Sequence, residues 1–206
     1  MFNFGRLPIL VETETGTYHF RILNIELAEK YEEDRAHVVI SILSPGSNIK
    51  LPDNLKRRAL LSLQFHDFND PKLDGREVRN EEGKLIDTLH CFTAKEAQEV
   101  VDCIQEWRDK VSVFIIHCEA GISRSAGIGA AIAKILGGDD TPFFKQYVPN
   151  SLVYNSILAC YYRDSIYEEQ LKDYSYTYKR RNELITERIR RPIKFTGDSN
   201  GRFGMG

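Results

Sequence analysis

The sequence predicts an α/β fold with a central, mostly parallel sheet flanked by helices on both faces. Apolar, β-branched runs alternate along the chain with segments of helical periodicity. Residues 111–116 are almost entirely apolar, as in a strand buried on both faces, and residues 126–136 form a small-residue helical segment closed by Gly137-Gly138. Strands that alternate with helices form a parallel sheet, and ligands bind at the carboxyl ends of its strands.

Four strands are predicted in the first half of the chain. They lie near residues 9–11 and 18–23, then at 37–43 and 59–65. A short helix is expected around residues 26–33. The charged, glycine-containing segment 72–87 is expected to be a surface excursion that separates the fourth strand from the next helix.

Helices are predicted for most of the chain beyond residue 90. Thr93 and Glu96 form a capping box that opens a helix, and its apolar residues share one face that should cover the sheet: Ala97, Val100, Val101, Ile104 and Trp107. A short helix begins at Thr141-Pro142 and ends at Pro149. Asn150 or Ser151 caps a further helix, and the last helices are expected to reach about residue 189.

Length and composition favour one domain. A chain of 206 residues with 42% apolar content can bury one core, so residues 1–190 are predicted to form a single domain and residues 191–206 a flexible tail. The four cysteines lack disulfide-framework spacing, which indicates a reducing compartment. Because the first sixteen residues contain no long apolar segment, we expect no membrane partner and a cytoplasmic location. The oligomeric state is left open.

Charge and metal-ligand patterns exclude other classes of function. A net charge of −2 makes nucleic acid an unlikely partner. The basic segment 179–194 has two interpretations, a surface that binds RNA, phospholipid or an acidic partner, or a solvated helix face. Histidines and cysteines show no metal-ligand spacing, so neither a metal site nor a cofactor is expected.

The strongest functional signal is the nine-residue turn His-Cys-Glu-Ala-Gly-Ile-Ser-Arg-Ser at 117–125, which joins a predicted strand to a predicted helix. Such a turn directs unpaired backbone N–H groups and the positive end of the helix dipole at a bound anion. Five residues separate Cys118 from Arg124, which suits one tetrahedral dianion. The residues predicted to bind phosphate are Glu119, Ala120, Gly121, Ile122, Ser123 and Arg124, with Gly121 adopting backbone angles closed to other residues.

Cys118 is expected to act as a thiolate nucleophile, because helix N–H groups and the Arg124 guanidinium favour its charged form. Arg124 offers a planar fork that can hold two phosphate oxygens. Ser125 is expected to donate its hydroxyl to the sulfur, and His117 to orient the loop through a backbone hydrogen bond. The alternative for Cys118 is a small buried apolar side chain that follows a core strand.

These residues carry a family resemblance. His117-Cys118-x-x-Gly121-x-x-Arg124-Ser125 is similar to the HCxxGxxR(S/T) loop of the cysteine-dependent protein tyrosine phosphatase superfamily, and the compact size resembles its dual-specificity-like branch. Together with residues 38–46, residues 63–68 and Pro149-Asn150, the loop resembles small bacterial and phage tyrosine-phosphatase-like proteins over about residues 9–165. The resemblance implies a protein tyrosine phosphatase-like fold and hydrolysis of phosphomonoesters through a phosphocysteine intermediate.

The resemblance also implies that an aspartate on a loop before Cys118 donates the leaving-group proton. Asp67 is preferred because residues 65–68 follow the strand expected near the catalytic strand. Asp70 is the second candidate, while Asp74 and Asp87 lie in the polar segment that follows. Asp67 is farther from Cys118 than the family's usual spacing, which the excursion at 72–87 would explain.

The expected substrate is phosphotyrosine in a protein, with phosphoserine and phosphothreonine as alternatives. The variable loop positions contribute one negative charge, that of Glu119, and no lysine, which argues against multiply phosphorylated ligands. Two other classes of function stay open. One is a pseudophosphatase that binds phosphorylated partners without cleaving them, and the other is a sulfurtransferase or arsenate reductase.

Overall fold

The structure is a computed structural model that describes residues 7–162. Its strands are β1 (Ile9–Thr13), β2 (Gly16–Leu23), β3 (His37–Leu43), β4 (Arg57–Gln64), β5 (Glu77–Arg79), β6 (Leu85–Thr88) and β7 (Val113–His117). Its helices are α1 (Ile25–Ala28), α2 (Ala94–Trp107), α3 (Arg124–Ile135), α4 (Thr141–Gln146) and α5 (Ser151–Tyr162). The predicted domain boundary after residue 190, the helices expected up to residue 189 and the basic segment 179–194 lie outside the described residues.

Five strands form the main sheet in the order β1-β2-β7-β3-β4. β1 is antiparallel to β2, and the other neighbouring pairs are parallel. Every residue of β7 is buried, as its apolar run predicts for a strand with neighbours on both edges and layers on both faces. The α/β class and the mostly parallel sheet are therefore confirmed, and Cys118 follows the central strand.

One face of the sheet is covered by helices. Phe20 of β2 meets Phe143 of α4 edge-on, with ring centroids 5.3 Å apart. A Cβ atom on Gly129 of α3 would come within 2.6 Å of the Phe143 ring and 3.0 Å of Ile22, so only glycine lets α3 approach this closely. α5 packs against both α2 and α3, which completes the helical layer.

The opposite face carries a thinner layer. Val39 and Ile115 form a cluster there with Ala28 of α1, and Ile49 and Leu51 from the loop after β3 pack against it. α1 ends at Ala28 rather than extending to residue 33 as predicted. Beyond it, Tyr31 lies under the Arg21 guanidinium and Glu33 pairs with Arg35, and these contacts replace further helical turns.

The predicted surface excursion contains a β-hairpin. β5 and β6 pair antiparallel after a 3-10 turn at Pro71–Leu73, and Gly83 adopts a φ of +78° in the connecting turn. The hairpin is tied to the core, because the Asp74 carboxylate accepts the Cys91 N–H at 2.8 Å and Asp87 contacts His66 at 3.0 Å. Every residue of both strands is exposed, so the apolar alternation that reveals a half-buried strand is absent.

The boundaries of α2 and α3 agree closely with the sequence prediction, whereas α4 ends at Gln146, three residues before the predicted stop at Pro149. The capping box at Thr93 forms as expected, since the Glu96 side chain accepts the Thr93 N–H at 2.9 Å while Thr93 Oγ1 accepts the Lys95 N–H. α3 begins at Arg124, two residues before the predicted start, and Gly137 follows it with a φ of +80°. None of the helices in residues 7–162 combines the length and apolar character that a bilayer crossing requires.

Candidate active site

The loop 118–123 lies at the carboxyl end of the central strand and leads into α3. Its carbonyl groups point outward to neighbouring segments. The Glu119 carbonyl accepts the Ile25 N–H at 3.2 Å, the Ile122 carbonyl accepts the Val148 N–H at 3.3 Å, and the Ser123 carbonyl accepts the Asn150 N–H at 3.0 Å. The loop is therefore anchored from β2–α1 on one side and from the α4–α5 connection on the other.

The backbone N–H groups of residues 119–123 find no acceptor among the described residues. These donors immediately precede the N-terminus of α3, a twelve-residue helix whose dipole is positive at this end. Consecutive unpaired amides at a helix N-terminus are the donor set that binds phosphate and similar anions. The predicted phosphate-binding residues are thus brought together with their donors available.

Gly121 is required by the shape of the loop. Its φ is +65°, and a Cβ atom there would lie 2.6 Å from the Asn24 nitrogen and 2.7 Å from the Leu23 carbonyl oxygen. A side chain would therefore push the loop away from the end of β2. The prediction that Gly121 adopts backbone angles unsuited to other residues is confirmed.

Cys118 is buried at the base of this loop. Its Sγ atom lies 3.2 Å from the hydroxyl oxygen of Ser125, in the first turn of α3. A thiolate can only accept in this contact, so the Ser125 hydroxyl would then donate to the sulfur. The predicted contact between Ser125 and the sulfur of Cys118 is present.

Arg124 is only 5% exposed, and its guanidinium is held from two directions. Nη1 donates to the Phe65 carbonyl at 2.8 Å, and Nη2 pairs with the Glu119 carboxylate. The second oxygen of Glu119 accepts the Ser44 N–H at 2.6 Å. The sequence prediction placed the charge of Glu119 on the rim, whereas the carboxylate is turned toward Arg124.

Asp67 lies beside the loop 118–123, on the segment that follows β4. Its Oδ1 atom accepts the Ser123 hydroxyl at 2.8 Å and the Asn150 amide at 2.7 Å. The residue is exposed, so a substrate can reach the carboxyl group. Phe65, at the start of the same segment, supplies the carbonyl that holds Arg124.

The competing aspartates have other partners. Asp70 caps the 3-10 turn by accepting the Lys72 N–H at 3.0 Å, and Asp74 and Asp87 fasten the β5–β6 hairpin. In the described residues, Asp67 is the one of these four whose carboxylate bonds to the loop 118–123. The geometry therefore favours the first-ranked candidate.

Asn150 does more than the sequence indicated. Its Oδ1 atom accepts the Val153 N–H at 3.0 Å and so caps α5, as predicted. Its Nδ2 atom also donates to Asp67 and, at 3.1 Å, to the Phe68 carbonyl. The contact of Ser44 with Glu119 was missed as well, because it involves only the backbone N–H, and no side chain marks such a residue in a sequence.

The prediction for His117 is wrong. Both ring nitrogens are buried and make no hydrogen bond within residues 7–162, so the ring does not orient the loop through the backbone. Successive residues of a strand face opposite ways, and the ring of His117 borders a cavity of about 20 Å³ shared with His37 and Asn54, on the face away from Ser125. Burial lowers the pKa of His117 to about 4, so the ring is neutral at pH 7.

No cluster of histidine, cysteine and carboxylate side chains suited to a metal ion is found in the described part of the chain. A larger cavity, of about 490 Å³, opens at the amino ends of β2 and β7 beside Thr17 and Ser112, at the far end of the sheet from Cys118. A scan of the sequence against protein-family models and a search of curated proteins both return no match. The chemistry of the site is therefore inferred from its own residues and geometry.

Proposed function

We propose that this chain is a cysteine-dependent phosphatase with a protein tyrosine phosphatase-like fold. It hydrolyses phosphomonoesters, with phosphotyrosine in proteins as the leading substrate and phosphoserine or phosphothreonine as alternatives. The observation that carries the proposal is the buried thiol of Cys118 under a loop whose amides at 119–123 have no acceptor in the described structure. The position of this loop after the central strand of a parallel sheet supports the fold assignment.

The residues supply each step of the reaction. The Cys118 thiolate attacks phosphorus, an S–P bond forms, and the P–O bond to the leaving group breaks while Asp67 gives its proton to the departing oxygen. Water then attacks phosphorus, Asp67 accepts the proton, and the S–P bond breaks to release phosphate. The loop amides and Arg124 stabilise the negative charge on the equatorial oxygens in both steps, and Ser125 stabilises the departing thiolate.

Cys91 and Cys103 argue against a thiol relay of the arsenate reductase type. None of the four cysteines, all within the described residues, forms a disulfide. Burial raises the pKa of Cys103 to about 11, and burial together with nearby Asp74 and Asp70 raises the pKa of Cys91. These thiols stay protonated and unreactive at neutral pH, so phosphate transfer is favoured. A nucleophilic thiol that must stay reduced also favours the cytoplasm.

Hydrolysis of para-nitrophenyl phosphate and of a phosphotyrosine peptide tests the proposal. The full chain is expected to release phosphate from both substrates, and vanadate to inhibit it. Cys118→Ser should lower turnover by about 10³-fold or more while it keeps the fold and the binding of phosphate. Ser156→Ala, a small change on α5, serves as a matched control for handling and stability.

The outcomes separate the alternatives. Binding of vanadate and phosphopeptide without phosphate release would indicate a pseudophosphatase. A persulfide or disulfide on Cys118 after turnover, detected by mass spectrometry, would indicate sulfur transfer or arsenate reduction. Full activity in pure Cys118→Ser protein would remove Cys118 as the nucleophile.

A further inference from the structure

The Glu119 carboxylate contacts both Arg124 and the end of β3, an arrangement with a specific use in the proposed reaction. We propose that Glu119 is a positioning residue, which holds the Arg124 guanidinium in the orientation that grips the transferring phosphoryl group. The inference rests on the proposed phosphatase function. It assigns a role to a loop position whose side chain the family motif leaves unspecified.

Burial makes a partner for Arg124 necessary before any substrate arrives. The Arg124 side chain is almost fully buried, while that of Glu119 is 35% exposed at the edge of the site. A buried cation without a partner or hydrogen bonds is strongly unfavourable. Glu119 supplies the compensating charge, so Arg124 can stay buried.

The two fixed contacts leave donors available for phosphate. A guanidinium carries five N–H groups, of which Nη1 uses one for Phe65 and Nη2 uses one for Glu119. The buried Nε has no partner among the described residues. Nη1 and Nη2 are each held by a partner, which fixes the orientation of the guanidinium. Its remaining donors therefore point in a set direction and need no reorganisation when phosphate binds.

Glu119 is itself held in place. Its carboxylate accepts the Ser44 N–H at the end of β3, and its carbonyl accepts the Ile25 N–H at the start of α1. An opposing possibility is that the carboxylate competes with phosphate for Arg124. These anchors and the unused Nε favour positioning, because phosphate can bind Arg124 without displacing Glu119.

Three substitutions test the role. Glu119→Ala removes the contact with Arg124, whereas Glu119→Gln keeps an acceptor oxygen and the shape of the side chain but removes its charge. The matched control is Glu26→Gln, which removes an exposed charge on α1 next to Ile25. For each full-length protein, kcat and KM on para-nitrophenyl phosphate, vanadate inhibition and thermal unfolding are measured.

Glu119→Ala is expected to lower kcat by about 10- to 100-fold and to weaken vanadate inhibition by a similar factor, with a smaller change in KM. Arg124 acts most strongly on the transition state, so its misplacement affects kcat and vanadate, a transition-state analogue, more than ground-state binding. Glu119→Gln should recover part of the loss, and Glu26→Gln should match the wild type.

Unchanged or tighter vanadate inhibition with unchanged kcat in a folded Glu119→Ala protein would overturn the positioning role, and tighter inhibition would indicate competition instead. If Glu119→Ala does not fold, wild-type kcat and vanadate inhibition in Glu119→Gln would overturn the role in the same way. A wild-type protein that neither hydrolyses the substrate nor binds vanadate would reject the phosphatase function itself, which is a distinguishable result.

Discussion

Cys118 and Cys103 show how position decides the chemistry of one residue type. Both thiols are largely removed from water, but Cys103 lies on α2, where burial raises its pKa to about 11. Cys118 instead lies at the base of a loop of unpaired amides, beside the hydroxyl of Ser125. Unpaired amides and a hydroxyl can donate hydrogen bonds to an acceptor, so the two thiols lie in settings of different chemistry.

Replacement of Asp67 by asparagine is expected to lower the rate on phenyl phosphate, a poor leaving group, by about 10²-fold or more. The rate on para-nitrophenyl phosphate should fall far less, because its leaving group needs little protonation. Steady-state kinetics on the two esters measure the difference. Asp70→Asn, which changes only a turn cap, is the control, and if that variant shows the selective loss then Asp70 is the acid.

At the residue scale, the sequence predicts which residues form the loop better than it predicts where their side chains point. Cys118, Arg124, Ser125 and Gly121 were identified from spacing, because the loop motif constrains them together. The inward turn of Glu119 depends on Ser44, which is 75 residues earlier in the chain, and so could not be read locally. The prediction for His117 failed for the same reason. The residues from other segments that lie beside it on its face of the sheet, such as His37 and Asn54, are also far from it in the sequence.

Asn150 links three elements at the scale of secondary structure. It caps α5, its backbone N–H donates to the Ser123 carbonyl in the loop 118–123, and its side-chain amide donates to Asp67 and Phe68. The start of one helix therefore sets the spacing between the proposed acid and the anion site. We infer that the acid segment is docked by these bonds rather than by substrate.

Asn150→Ser keeps an oxygen that can cap α5 but removes the amide donor to Asp67. We expect kcat on phenyl phosphate to fall by about tenfold, with a smaller effect on para-nitrophenyl phosphate. The free energy of unfolding should fall by about 1 kcal/mol, through the lost hydrogen bonds. Equal losses on both esters would show that Asn150 acts on the phosphate loop alone.

Elements with a strong local signal were predicted well, and those that depend on distant contacts were not. The capping box at Thr93 and the apolar strand β7 each carry their own signal in the sequence. The β5–β6 hairpin does not, because its strands bury no face. The early end of α1 results from the contacts of Tyr31 and Glu33 with two arginines, and neither contact is visible as a pattern.

Residues 7–162 form two layers of unequal thickness around the sheet. α3, α4 and α5 form a thick layer on the side of Ser125, while α1 and the loop after β3 form a thin layer on the side of His117. Alternation of strands and helices predicted the class of this architecture. The order of the strands is a tertiary property, which the pattern of one segment does not reveal.

Buried His117 makes global stability depend on pH. Its pKa is lowered from 6.5 to about 4 by burial, so between these values the unfolded chain binds a proton that the folded chain does not. Stability is therefore lost as the pH falls from about 6.5 toward 4. This residue alone should reduce the free energy of unfolding by about 2 kcal/mol between pH 7 and pH 4.5.

Chemical denaturation of wild-type and His117→Gln proteins at both pH values checks this expectation. Other groups titrate equally in the two proteins, so the difference in their pH dependence isolates His117. The variant should lose less stability on acidification than the wild type. If the free energy of unfolding changes equally with pH in the two proteins, then His117 is already paired or solvated in the folded state.

The decisive measurement is a search for phosphorus on Cys118 during turnover. Asp67→Asn protein is mixed with para-nitrophenyl phosphate, quenched in acid within the first turnovers and digested for mass spectrometry. The Asp67 substitution removes the base for the second step, so the intermediate should accumulate. We predict a phosphoryl group on the peptide that contains Cys118 and none in a Cys118→Ser background. Steady release of nitrophenol with an unmodified Cys118, or with the phosphoryl group on another residue, would contradict the mechanism.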